Sequence, residues 1–160
     1  MVTKKIILGV ASVWDKRKGL DVFFRLSERL SKEYTIVVIG LTREQIKKLP
    51  DGIIGISKTN NIQELVEWYS VAHVYVNTSI EETMGLTTVE AQMCGTPVIV
   101  FNRTATPELV EDEHGYIVEY CKIDDIVTGI EKIECKKVNR DNLIKYEKRR
   151  QMEKYIGVLG

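Results

Sequence analysis

A chain of 160 residues with 44% apolar side chains, 29% charged side chains and three prolines has the make-up of one folded globular domain, and a second full core would be crowded. Its formal net charge of zero gives no support to a nucleic-acid partner. The three cysteines, Cys94, Cys121 and Cys135, match neither a zinc pattern nor a disulfide framework and read as free thiols of a reducing compartment, while no run reaches the roughly 18 apolar residues of a membrane span.

Short apolar runs alternate with longer amphipathic ones. The opening MVTKKIILGVA is basic and then apolar, but its apolar part is short and leads into charged sequence, so KIILGVA (5–11) is expected as a first strand rather than a signal peptide. LDVFFRLSERLSKEY (20–34) sets Val22, Phe23, Leu26 and Leu30 at helical spacing. TIVVIG (35–40) is a second strand, TREQIKKL a short helix, GIIGI (52–56) a third strand, IQELVEWYSVA (62–72) a helix and HVYVNTS (73–79) a fourth strand. LTTVEAQMCG (86–95) reads as a helix closed by glycine and PVIVF (97–101) as a fifth strand. A short helix around PELVE, a weak strand GYIV (115–118) and helices near 123–134 and 139–156 complete the pattern. Strands that are continuous apolar runs belong to a parallel sheet covered on both faces, so the expected fold is a doubly wound, Rossmann-like α/β domain.

In such a sheet, ligands sit beyond the carboxyl ends of the strands. The first of those loops contains no G-x-G-x-x-G, and no G-x-x-x-x-G-K-[ST] occurs anywhere, which removes most support for a nicotinamide dinucleotide site or a P-loop. Gly85 stands at the mouth of a helix whose first turn, Leu86, Thr87 and Thr88, offers backbone N–H groups without intrahelical acceptors. Either it admits an anion such as phosphate to those groups, or it only relieves the bend into the helix. Glu90 lies further along the helix and Glu82 in the loop before it. Each is either a solvated surface acid or a ligand group, and a carboxylate beside a diol suits a ribose. Lys16, Arg17 and Lys18 put three positive charges after the first strand, as a solubilising run or as neutralisers of a diphosphate. These separate loops converge on one edge.

Glutamate, seven residues, glutamate, found as EETMGLTTVE from Glu81 with Glu82 and Glu90 as the pair, is followed by AQMCGTPVI at 91–99. With these motifs the chain closely resembles the C-terminal, nucleotide-sugar-binding domain of retaining GT-B glycosyltransferases of family 4, group 1, over residues 4 to 157. The resemblance implies that Glu82 addresses the hydroxyls of the donor sugar near the transferring centre and that Glu90 holds the ribose. It also implies that the backbone at Gly85 and Leu86 meets the diphosphate, with Thr87 in the same helix turn, and that Lys18 neutralises it. Ile56 and Ser57 would lie against the nucleobase. UDP is the expected nucleotide, with GDP and ADP as the alternatives.

Several positions depart from the family pattern. Ser12 and Val13 stand where relatives carry a glycine-arginine pair, which makes Arg17 the candidate replacement for that arginine. Met84 replaces a phenylalanine, His73 replaces an aspartate entering the fourth strand, and Thr104 and Ala105 replace glycines. His73 is expected to be packed or hydrogen-bonded rather than catalytic. No aspartate pair is placed to bridge a metal to a diphosphate, because Asp124 and Asp125 open a late helix where acids suit the dipole, so neither a metal nor another cofactor is expected beyond the nucleoside-diphosphate-sugar donor.

The expected function is the donor-binding half of a glycosyltransferase, spanning 1–160, that acts with an N-terminal acceptor domain of the same protein not contained in this chain and is inactive alone. The alternatives are a non-catalytic nucleotide-binding fragment and half of a nucleotide-sugar epimerase. A phospho-accepting receiver would require an aspartate at the end of the third strand, which here runs Ile56-Ser57. Residues 136–154 carry eight bases against three acids. That basic face suits contact with the acceptor domain or, for a lipid-linked acceptor, with an anionic bilayer, which implies a cytoplasmic protein peripheral to the membrane.

Overall fold

The computed structural model describes residues 4–79, 86–103, 107, 110, 115–120 and 122–135. Six strands form one parallel sheet: β1 (Lys5–Val10), β2 (Tyr34–Ile39), β3 (Ile53–Ile56), β4 (Val74–Asn77), β5 (Val98–Phe101) and β6 (Gly115–Val118). Their spatial order is β3-β2-β1-β4-β5-β6. The helices are α1 (Leu20–Arg29), α2 (Arg43–Lys47), α3 (Ile62–Val71), α4 (Leu86–Met93) and α5 (Ile123–Cys135), and a short 3-10 turn, Lys16–Lys18, precedes α1. This is the doubly wound, Rossmann-like sheet expected from the apolar runs.

Strand alternation divides the core in two. Ile7, Ile36, Val38, Val74, Val76, Ile99 and Phe101 face Val22, Phe23 and Leu26 of α1 and Ile126, Ile130 and Ile133 of α5. Leu8, Val37, Ile39, Tyr75, Val98 and Val100 face Val66 and Tyr69 of α3 and Ala91 of α4. Both faces of every central strand are therefore apolar, which explains why the sequence shows runs rather than alternation.

Most expected elements agree with the observed ones to within a residue or two, and the differences have local causes. Helix α1 stops at Arg29 because Leu30 turns extended, at φ −81° and ψ 145°, and the Tyr34 N–H closes a turn onto the Ser31 carbonyl at 3.2 Å. The fourth strand stops at Asn77 because its side-chain oxygen accepts the Ser79 N–H at 2.9 Å, which bends the chain away from the sheet. The CGTP run forms a Schellman cap: Gly95, at φ 80°, donates to the Gln92 carbonyl at 2.9 Å, and Thr96 donates to the Ala91 carbonyl at 3.0 Å. The Thr96 hydroxyl then donates to the Tyr69 carbonyl, joining the end of α4 to α3. His73 is buried at the opposite, amino end of β4, where its N–H donates to the Ile6 carbonyl at 2.8 Å and its ring lies 6.2 Å from that of Tyr34. The expected helix at 139–156 lies outside the described residues, as does all but Pro107 and Val110 of the PELVE segment.

The connection from β1 to α1 is pinned at two points. The Trp14 indole is buried, donates to the Ile39 carbonyl at 2.9 Å and packs edge-on to Phe23. Gly19 sits at φ 76°, and a Cβ there would run into the Thr78 carbonyl. Gly52 has a comparable φ of 93° with open space around it. Gly52→Ala should therefore cost only the left-handed strain, about 1 kcal/mol. Gly19→Ala should cost about 1 to 3 kcal/mol more, the usual penalty for forcing atoms into packed structure. Urea unfolding of the two variants measures the difference, and equal losses would refute the close approach at Gly19.

Candidate functional site

Strand register levels the carboxyl edge of the sheet. Val10, Ile39 and Ile56 are paired in one row, and Asn77, Val100 and Ile117 in another. Leu8 pairs with Tyr75, and continuing that register by two residues brings Asn77 beside Val10 and joins the rows. The helix after β1 covers one face and the helix after β4 covers the other, so the chain diverges between these neighbouring strands and leaves a crevice at their carboxyl ends. The Thr78 hydroxyl spans that crevice and donates to the Lys18 carbonyl.

Lys18 is thereby held at the switch point by its own backbone. Its N–H donates to the Asp15 carbonyl at 3.1 Å, its carbonyl accepts Thr78, and its residue is half-buried while Lys16 and Arg17 are exposed. Arg17 is engaged locally: its guanidinium donates to Asp15 at 3.0 Å, and its backbone N–H donates to the same carboxylate at 3.0 Å. The hydrogen bond from the Arg17 side chain holds the Asp15 carboxyl below its ordinary pKa. A role for Arg17 at a bound anion thus requires it to exchange partners.

Three side-chain contacts fasten α4. The Tyr75 hydroxyl of β4 lies 2.6 Å from Thr87 Oγ1 and 3.3 Å from the Val10 carbonyl. The Asn77 amide donates to Thr88 Oγ1 at 2.8 Å. The Tyr69 hydroxyl of α3 donates to Glu90 Oε2 at 2.8 Å. Thr87 and Thr88 are thus occupied with the sheet through their side chains, so contact with an anion would fall to the backbone N–H groups of this first turn. Leu86 stands exposed at the start of the helix.

Glu90 is half-buried, and burial raises its pKa while the Tyr69 hydrogen bond opposes the rise. Burial also holds the Tyr69 phenol well above its ordinary value, so it remains a donor at working pH. Among the described residues, nothing hydrogen-bonds Glu90 Oε1. The carboxylate therefore keeps acceptor capacity for a ligand.

Ile56 and Ser57 close the row at β3, where the Ile56 carbonyl accepts the Gly40 and Leu41 N–H groups at 2.9 and 3.3 Å and Ser57 is exposed. From β3 to β4 there are three strand spacings, about 14 Å, so these residues can meet Lys18 and α4 only through an elongated ligand. Glu82 and Gly85 lie outside the described residues. Among those described, no three His, Cys, Asp or Glu side chains gather to hold a metal ion, and no helix is long and apolar enough to cross a membrane. Tyr69, Tyr75, Asn77 and Thr78 are not singled out by the sequence. Asn77 and Thr78 carry one faint signal, polar residues closing an otherwise apolar strand.

The doubly wound parallel sheet flanked by helices matches a GT-B half-domain. The chain belongs to the glycosyl transferases group 1 family, which it matches over residues 4–134. An uncharacterized glycosyltransferase of Haemophilus influenzae is 29% identical over 140 residues, covering 79% of this chain and 38% of that protein. The chain spans 12 to 38% of the length of the curated relatives it matches. Among solved structures, the C-terminal domain of a group 1 glycosyl transferase, LpcC of Francisella tularensis, shares the fold at a TM-score of 0.65 and 24% identity, over 98% of this chain and 87% of that one. Anabaena HepE in complex with UDP-glucose shares it at a TM-score of 0.67 and 18% identity, over 94% of this chain and 43% of that one.

The raised pKa of Glu90 gives a stability prediction with a definite sign. Folding favours the protonated form of this carboxyl, so its contribution is fully present below the ordinary glutamate pKa and is lost as pH rises through the raised folded value. Glu90→Gln removes that dependence. Its unfolding free energy should improve relative to wild type as pH rises across this window. Parallel urea titrations at about pH 4 and pH 7 check this, and a difference that stays constant would contradict the burial effect.

Proposed function

We propose that the chain is the donor-binding half of a retaining glycosyltransferase, taking a nucleoside-diphosphate sugar, with UDP as the expected nucleotide, and passing its sugar to a glycan or lipid-linked acceptor held by an N-terminal domain of the same protein. The observation that carries this reading is the convergence at the β1–β4 switch point: a backbone-anchored Lys18 on one loop, and on the facing element a helix N-terminus followed by Glu90, whose Oε1 accepts no hydrogen bond from the described residues. That is a polar set for a diphosphate next to a ribose. The family membership, and the UDP-glucose bound by the structurally similar HepE, support the same donor class.

On this reading the anomeric C–O bond breaks with its electron pair leaving on the diphosphate, and positive charge builds on the sugar. Lys18 and the N–H groups of Leu86 and Thr87, with Gly85 giving close access, stabilise the departing diphosphate with fixed dipoles and a cation. Arg17 joins them if it releases Asp15. Glu90 holds the ribose, Glu82 addresses the sugar hydroxyls near the transferring centre, and Ile56 and Ser57 border the base. Capture of the sugar by the acceptor hydroxyl on the face the diphosphate left, with the hydroxyl proton passing to the departing diphosphate oxygen, retains configuration. The acceptor domain completes the site, so the chain alone binds donor without transferring sugar. The protein is assigned to the cytoplasm, with peripheral attachment through its basic terminal segment when the acceptor is lipid-linked.

Calorimetric titration of the chain with UDP, GDP and ADP against their nucleosides tests the donor site directly. One diphosphate should saturate and bind more tightly than its nucleoside, and equal or absent binding would refute the site. Lys18→Ala should weaken the diphosphate by about tenfold or more while leaving the nucleoside nearly unchanged, the pattern of a lost charge-assisted contact. A parallel loss for both ligands would remove Lys18 from the phosphate site.

A further inference from the structure

We infer that Tyr69 is a positioning residue: its hydroxyl fixes the Glu90 carboxylate in the orientation that accepts the vicinal hydroxyls of a ribose, and so sets a preference for ribonucleotides over 2′-deoxyribonucleotides. The inference rests on the reading of Glu90 as the ribose holder, and it adds a residue that never touches the ligand.

The geometry separates the two carboxylate oxygens. Oε2 receives the Tyr69 hydroxyl at 2.8 Å, and among the described residues nothing hydrogen-bonds Oε1. A carboxylate held at one oxygen has its plane set, because rotation about the last side-chain torsion would break the bond. The other oxygen, together with the remaining lone pair of Oε2, then presents two acceptors side by side, which is what a pair of neighbouring hydroxyl donors requires. Removing the 2′-hydroxyl removes one of the two donors and leaves part of that acceptor pair desolvated and unmatched.

Tyr69 is suited to hold a fixed direction. Its side chain is fully buried, and its ring packs edge-on to that of Tyr75 with centroids 5.9 Å apart. Its carbonyl accepts the Thr96 hydroxyl from the cap of α4. Side chains on a helix lean toward its N-terminus, and α3 runs away from the carboxyl edge of the sheet, so the Tyr69 phenol leans back toward that edge and meets Glu90, which lies one turn into α4. A buried phenol that only filled space would need no oxygen at this place, and phenylalanine would serve. The hydroxyl is spent on the carboxylate.

The test is a set of calorimetric titrations of wild type, Tyr69→Phe, Glu90→Gln and the double variant with UDP, GDP and ADP and with their 2′-deoxy counterparts. Tyr69→Phe removes one oxygen from a packed side chain and should fold, as checked by far-UV circular dichroism and the thermal midpoint. It should weaken the ribonucleotide by about five- to tenfold, the scale of one lost hydrogen bond, and the deoxyribonucleotide by much less. In the Glu90→Gln background the same substitution should change the ratio no further, since the two residues act as one unit. Equal losses for both sugars in Tyr69→Phe, or a further change of the ratio when it is added to Glu90→Gln, would each overturn the positioning role while leaving the donor site standing. Failure of the wild type to bind any diphosphate would overturn both readings together.

Discussion

The arrangement of this domain turns on how α4 is fixed to the elements beneath it. Tyr75 and Asn77, which alternate with Val76 and so share one face of β4, reach Thr87 and Thr88 on the first turn of the helix, and Tyr69 reaches Glu90 on the next. The sheet and α3 thus grip one face of α4 at three places within four residues. Rotation by one residue, about 100°, would break all of these contacts at once. Because buried polar groups left unpaired cost about 1 to 3 kcal/mol each, the helix has a single favourable rotation about its axis. Its amino end is therefore held at the crevice between β1 and β4.

The same grip reaches the far end of α4. The Schellman cap at Gly95 satisfies the last carbonyls, and the Thr96 hydroxyl ties the turn to α3 before Pro97 leads into β5. The CGTP stretch is in this sense a mechanical device, and each of its residues meets a local need. Cys94 is buried in the α3–α4 face, Gly95 takes the left-handed turn, Thr96 bonds across to α3, and Pro97 accepts the Tyr75 N–H at 2.9 Å as the strand begins. This part of the run that carries the family resemblance after the Glu82–Glu90 pair is thus largely explained by the need to close one helix and start the next strand without unpaired backbone.

The strands are legible because they are buried on both faces and so appear as unbroken apolar runs, Ile6-Ile7-Leu8 and Val98-Ile99-Val100-Phe101 among them. The helices are legible from spacing, and the end of α4 from its glycine. Contacts between residues distant in the chain are not legible. Nothing in the sequence distinguishes Tyr69 from any other aromatic residue on a buried helix face, since its partner Glu90 is 21 positions away and on another element. Sequence places the end of β4 two residues late because propensity alone does not reveal that Asn77 will accept the Ser79 N–H. The loop after β1 reads as three comparable cations, yet Arg17 is taken up by Asp15, two positions away, in a pairing that a count of charges conceals.

That last difference bears on how the crevice would attract the anion of the proposed donor. A flexible basic loop would offer charge from several directions and bind weakly, because each long side chain loses rotamer freedom on contact. Here the exposed part of the loop is partly neutralised by the Asp15–Arg17 pair, whereas the backbone of Lys18 is fastened to Asp15 on one side and to Thr78 on the other. The cation nearest the switch point thus starts from a fixed root, and across the crevice stand the N–H groups of a helix whose rotation is also fixed. Attraction between such a pair and a diphosphate would depend more on geometry than on total charge, so the proposed anion site is compatible with a chain of zero formal net charge.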